Sequence, residues 1–263
     1  MPTHTAAPQA PALRCQAQSA GQRLGLWVLL GLLSWLLAGC AAGPRVPDWQ
    51  IEAHGAQQRA LRADLEGRQR VAELEWRRAL EAAQRTASAD QMARLALSRC
   101  AAAQAALDLT ERCAAAQALL PHAGAAEQAY ARYLLGQAQA TDLEWLPPAH
   151  RPTARRLLEP AAAGEAVALL RAIDDPLARL VAASVWLRAQ RLDPEALALA
   201  VQTASEQGWR RPLLAWLRLQ EDMAQRRGEA ELAAAAQQRI EWLLAAPPAP
   251  APLAPATPAR SGP

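Results

Sequence analysis

The reactive side chains of this sequence are few: cysteines at 15, 40, 100 and 113, and histidines at 4, 54, 122 and 150. Cys100 and Cys113 sit in a local duplication, Arg-Cys-Ala-Ala-Ala-Gln-Ala, which occurs at 99–105 and again at 112–118. Along one unbroken helix their 13-residue spacing would separate them by ~20 Å, beyond the reach of a disulfide. Folding the chain between 106 and 107, beside Asp108, brings the two positions level across a helical hairpin. Flanking alanines allow the close backbone approach that a disulfide needs. The expectation is a Cys100–Cys113 bond, which loop-closure entropy values at ~3 kcal/mol. No histidine lies at ligand spacing from either sulfur, so no metal site is expected. His54, His122 and His150 fall one to a region and read as loop or surface residues. Asp174-Asp175 and Glu221-Asp222 are adjacent acids whose side chains point apart on a helix, so neither pair reads as a catalytic dyad. The chain contains no His-Glu-x-x-His, no Gly-x-Ser-x-Gly and no glycine-rich phosphate loop. Neither a catalytic constellation nor a cofactor is expected from this set.

The remaining cysteine of interest closes an export signal. Residues 24–38 form an apolar run of 15 preceded by Arg14 and Arg23 and by no carboxylate. A bilayer-spanning helix needs ~20 residues, whereas this length suits the apolar region of a signal peptide. The run ends in Leu37-Ala38-Gly39-Cys40. That tetrapeptide resembles the lipobox of bacterial lipoproteins. The resemblance implies that Cys40 is S-lipidated, that the chain is cut between Gly39 and Cys40, and that the new N-terminus is acylated. Several acyl chains at ~0.8 kcal/mol per buried CH2 make a stable anchor. Ala41 rather than Asp follows the cysteine, which in that family's sorting pattern implies the outer membrane, here at its periplasmic face. Residues 1–39 then form the signal peptide and 40–47 a lipidated tether. The rival reading is an uncleaved signal anchor. Cys15 would leave with the signal, placing Cys100 and Cys113 in an oxidising compartment.

Composition bounds the rest. Of 263 residues 67 are Ala, every one of the 28 basic residues is Arg, Phe is absent and Tyr occurs only at 130 and 133. So few strand-forming residues exclude an all-β or ordinary α/β fold, while Ala, Leu, Arg, Gln and Glu favour helix. Removing the signal leaves 26 Arg against 25 acids, which gives no electrostatic case for nucleic acid.

Residues 56–86, after a cap at Asp48, read as one long amphipathic helix, so that 48–86 forms a unit of its own. Its stripe is Leu61, Leu65, Ala72, Trp76, Ala79, Leu80 and Ala83. Its outer face carries Asp64–Arg68, Glu66–Arg70, Glu73–Arg77 and Glu81–Arg85 as i,i+4 pairs. Gly67 and Arg68 interrupt the seam of a coiled coil. Ser88 with Gln91 opens a helix at 89–106, Asp108 with Glu111 one at 109–120, and a further helix spans 125–138. Thr141 with Glu144 starts a brief turn, and Pro152 and Pro160 interrupt 149–163. Asp175-Pro176, Asp193-Pro194 and Pro212 then open helices 176–191, 194–207 and 212–227, with a last helix at 229–245. Helix 176–191 is apolar on nearly all sides and reads as an inner helix. The punctuation recurs every 36 residues, as in a helical solenoid. Leu213–Leu244 resembles a degenerate tetratricopeptide repeat through Trp216, Leu217, Gly228, Ala233 and Ile240, with Pro247 after it and Gln237 in place of the usual aromatic.

The expected fold is therefore all-α: antiparallel helical hairpins stacked as a short tetratricopeptide-like solenoid over 88–245, preceded by one long helix and followed by a proline-rich tail, 246–263. Three functions fit. One is a membrane-anchored, non-catalytic scaffold or adaptor for another envelope protein. The second is a peptidoglycan-directed enzyme or activator, although no Glu precedes a Ser as it does in lytic transglycosylases. The third is a structural spacer of the envelope. The tryptophans read as core residues standing in for Phe, with a glycan groove as the alternative.

Overall fold

The computed structural model describes residues 46–108, 113–161 and 164–245. The chain divides into two units, Met1–Val46 and Pro47–Pro263, and every described helix belongs to the second. The signal peptide, Cys40 and the tail 246–263 lie outside the described residues. Among the described residues all regular structure is helical. The α-helices are α1 (Asp48–Leu65), α2 (Gln69–Gln84), α3 (Ala89–Ala105), α4 (Ala114–Leu119), α5 (Ala125–Leu134), α6 (Arg151–Leu157), α7 (Glu165–Arg171), α8 (Pro176–Arg188), α9 (Pro194–Glu206), α10 (Arg210–Arg227) and α11 (Ala230–Ala245). Short 3-10 turns occupy Leu120–His122, Ala140–Asp142 and Pro148–His150. No described helix is long and apolar enough to cross a membrane.

The single long helix expected over 48–86 is a hairpin instead. Gly67 adopts φ +82°, a left-handed conformation that costs any residue with a Cβ ~1–2 kcal/mol. Around it the Gly67 N–H reaches the Asp64 carbonyl at 3.1 Å and the Arg68 N–H reaches the Ala63 carbonyl at 2.7 Å. That pair of bonds is a Schellman motif, which satisfies the last carbonyls of α1 and turns the chain back. Alanines make the return close. Ala53, Ala56, Ala60 and Ala63 of α1 are buried, as are Ala72, Trp76, Ala79 and Ala83 of α2. Both sets step by three and four residues, the spacing of a coiled-coil seam. The predicted i,i+4 pairs rearrange accordingly: Glu75 takes Arg59 at 2.8 Å and Arg78 at 2.7 Å, Arg85 pairs across the hairpin with Glu52, and Glu73 pairs with Arg99.

Local capping sets most other boundaries. Ser88 accepts the Gln91 N–H at 3.4 Å, Asp175 the Ala178 N–H at 2.6 Å and Asp193 the Ala196 N–H at 2.7 Å. The helix expected at 109–120 is described only as Ala114–Leu119, because 109–112 lie outside the described residues. The helix expected to 138 stops at Leu134, where Gly136 at φ +71° closes a turn. The capping box of the next turn belongs to Gln139 and Asp142 rather than to Thr141 and Glu144. Helix α6 occupies a stretch whose prolines disguise it, and the seven-residue α7 follows.

The core centres on α8, which packs against α3, α5, α7 and α9. Every residue from Leu180 to Trp186 is buried, as an inner helix requires. Trp186 and Trp216 are fully enclosed, and the Trp216 indole donates to the Ala105 carbonyl at 2.9 Å, joining α10 to the end of α3. Arg211 makes a long-range polar link. It reaches Asp64 at 2.5 Å and Asp108 at 2.6 Å, 147 and 103 residues away. Asp64, predicted on the outer face, is fully buried and also accepts from the Trp76 indole at 3.4 Å.

Candidate functional site

A groove of about 430 Å³ lies over the junction of α3, α5 and α8. Helical spacing supplies its walls. Arg94, Leu97, Ser98 and Ala101 line it from one face of α3; Ala126, Glu127 and Tyr130 from α5; Leu177, Ala178 and Val181 from α8. The loop before α6 closes the remaining side with Trp145, Pro147 and His150.

Each wall is held by a specific bond. The Asp90 carboxylate of α3 accepts the Gly124 N–H at 2.7 Å and so seats the start of α5. Arg94 of α3 donates twice to Glu127 of α5, at 3.1 and 2.7 Å. Leu146 is buried and acts as the anchor of the Trp145 loop, while Arg151 donates to the Leu146 and Glu144 carbonyls at 2.8 and 2.9 Å. Asp142, also buried, takes Arg132 at 3.0 and 2.5 Å and the Gln139 N–H at 2.9 Å. The Arg132 hydrogen bonds hold the Asp142 carboxyl below the usual carboxylate range, outweighing the opposing cost of its burial.

The floor is aromatic. His150 lies 5.7 Å from the Tyr130 ring and 4.8 Å from the Tyr133 ring, and the two tyrosines are 6.3 Å apart. The Tyr133 hydroxyl meets Thr153 at 3.2 Å, and Thr153 donates to the His150 carbonyl at 2.9 Å. His150 is only 3 % exposed, and its Nδ1 has no hydrogen-bond partner. Burial pushes its imidazole down to about 4, against a smaller upward pull from Asp175. Of the expected loop or surface placement, His150 keeps the position in a short turn but is buried, whereas His54 and His122 are exposed. Trp145, by contrast, is 50 % exposed at the rim. The tryptophans thus divide: Trp76, Trp186 and Trp216 fill the core, whereas Trp145 and Trp242 face outward.

The two cysteines singled out by sequence meet at α3, whose Leu97 borders both them and the groove. Cys100 and Cys113 are disulfide-bonded with their Cα atoms 4.7 Å apart. The Gln104 amide points at both sulfurs from 3.9 and 4.0 Å, and its carbonyl accepts the Ser184 hydroxyl of α8 at 3.4 Å. The bond ties the segment after α3 to the helix whose other face forms the groove wall. Cys40 lies outside the described residues. No cluster of three or more metal-ligating side chains occurs among the described residues.

In chemical terms the groove offers stacking surface and apolar wall, with the Arg94–Glu127 pair on one side and the exposed acid Asp175 on the other. No family model matches the chain, and no curated protein or solved structure matches it.

Proposed function

We propose that the protein is a lipid-anchored helical adaptor at the periplasmic face of the outer membrane, which holds an extended segment of another envelope protein in the α3–α5–α8 groove. The observation that carries this reading is the groove's make-up: Tyr130 and His150 at its floor, alanine and leucine walls, and a half-exposed tryptophan at the rim. Such surfaces bind by apolar contact and stacking, with a few polar groups fixing orientation. The lipobox-like Leu37-Ala38-Gly39-Cys40 supports the tether, which raises effective concentration beside a membrane partner. A tetratricopeptide-like arrangement of α8 to α11 is part of the same proposal, supported by their consecutive packing and the 36-residue recurrence in the sequence.

Two measurements test it. Palmitate labelling of the expressed chain is expected to vanish in Cys40→Ala, and persistent labelling would remove the anchor. A photo-crosslinking residue placed at Ala126 on the groove wall is expected to capture a defined envelope protein in intact cells. A probe at Gln237 on exposed α11 is expected not to. Identical captures from both positions, or none from the groove, would overturn the adaptor reading.

A further inference from the structure

Resting on the adaptor reading, we infer that the partner segment held in the α3–α5–α8 groove presents a cationic side chain, an arginine or a lysine, which the Asp175 carboxylate and the Trp145 and Tyr130 rings receive.

The charges of the groove favour that chemistry. Arg94, Glu127 and Asp175 are its ionised lining residues, and its neutral polar pair, Gln57 and Ser98, is satisfied by a mutual hydrogen bond of 2.9 Å. Arg94 and Glu127 are joined by two hydrogen bonds and cancel. His150 adds no charge near neutral pH, because burial holds its imidazole down at about 4 against the pull of Asp175. Asp175 is left over. It is exposed and makes no ion pair among the described residues. Its Oδ1 accepts the Ala178 N–H at 2.6 Å, which leaves Oδ2 for a ligand. The N-terminus of α8 offsets about half of this negative charge, and the neighbouring exposed Asp174 adds to it. The field reaches the floor, where burial and then the Asp175 charge push the Tyr130 hydroxyl upward.

The rings act in the same sense. An aromatic face is electron-rich and attracts a cation, more strongly as water is excluded. Trp145 is half-exposed at the rim and Tyr130 half-buried, and both line the groove that Asp175 borders. Leu97, Ala101 and Leu177 give the methylene stem of a long basic side chain an apolar wall. A purely apolar segment would take Asp175 out of water without a partner, which is costly. An acidic segment would be repelled.

The test measures fluorescence anisotropy with the full chain in an uncharged maltoside detergent. The probes are four amidated heptapeptides, Ala-Leu-Ala-Xaa-Ala-Leu-Ala, each carrying an uncharged fluorophore, with arginine, lysine, citrulline or glutamate at the centre. Citrulline keeps the shape of arginine and removes its charge. The arginine and lysine peptides are expected to bind roughly 5- to 20-fold more tightly than the citrulline peptide, the ion pair and the ring contact each supplying a few-fold. The glutamate peptide is expected to bind most weakly. Asp175→Asn keeps the helix cap and is expected to shrink the arginine-to-citrulline ratio to about two- to fourfold, the share of the rings, with the citrulline affinity unchanged. Trp145→Leu keeps an apolar rim and is expected to shrink the ratio further when combined with Asp175→Asn. Equal affinities for the arginine and citrulline peptides would refute the cation site. So would a ratio that Asp175→Asn leaves unchanged, or failure of the arginine peptide to bind. If the Ala126 probe still captured an envelope protein in any of these cases, the adaptor reading would stand with a partner of other chemistry.

Discussion

Acidification isolates one residue of the groove floor. His150 is buried beside two tyrosine rings and its imidazole is held at about 4 in the folded protein, against ~6.5 in an unfolded chain. Between those values the unfolded state binds the extra proton and the folded state does not, so stability falls as pH drops through that window. From pH 7 to 4.5 the linkage amounts to about 2–3 kcal/mol. Asp142 does not contribute over this range, because its depressed carboxyl titrates lower still and weakens the fold only as pH falls further. The assay is urea unfolding at several pH values between 7 and 4.5, comparing the wild-type chain with His150→Phe. Phenylalanine keeps a ring against Tyr130 and Tyr133 and removes the titration. All other groups are shared, so the difference between the two pH slopes reads His150 alone. The wild type is expected to lose about 2–3 kcal/mol more than the variant over this interval. Parallel stability curves would refute both the buried neutral imidazole and the reasoning that derives it from desolvation.

The hairpin and its link to α10 carry two further expected outcomes. Gly67→Ala is expected to lower stability by about 1–2 kcal/mol in the same urea assay, because the left-handed turn penalises a Cβ; an unchanged midpoint would mean that the α1–α2 turn is formed otherwise. Arg211→Met is expected to cost about 3 kcal/mol, since it strips a close counter-charge from fully buried Asp64. Adding Asp64→Leu to that variant is expected to recover most of the loss, and a strictly additive double variant would show that the pair is not coupled.

The features legible in sequence are those that neighbouring residues decide. Ser88, Asp175 and Asp193 cap the helices that begin just after them, and their signal is complete within four residues. The Cys100–Cys113 bond is legible because one hairpin brings together positions only 13 apart. Gly67 is visible as an interruption, yet a helix tolerates an isolated glycine at ~1 kcal/mol, and nothing local distinguishes that case from a left-handed turn. Asp64 misleads because an acid four residues before an arginine looks like a surface pair; its ion-pair partner Arg211 lies 147 positions downstream. The groove is illegible for the same reason. Its walls come from residues 94–101, 126–130, 145–150 and 177–181, and only the packing of α3, α5 and α8 makes them neighbours. A lone histidine such as His150 carries no periodicity, so sequence does not show that two tyrosines enclose it. Helix α6 escapes notice because Pro152 sits in its first turn, where proline is tolerated; α7 spans only seven residues, too few to show a helical period.

The Asp64–Arg211 contact sets an order of events during synthesis. At about 5–20 residues per second, the arginine emerges roughly 7–30 s after the aspartate it must neutralise, given the 147 positions between them. Throughout that interval the first hairpin has the apolar contacts of its own two helices and the Trp76 indole on its carboxylate, while its long-range arginine is still to be made. A nascent chain that stalls before position 211 therefore lacks the polar tie between its first hairpin and α10, so that joint closes only late in synthesis.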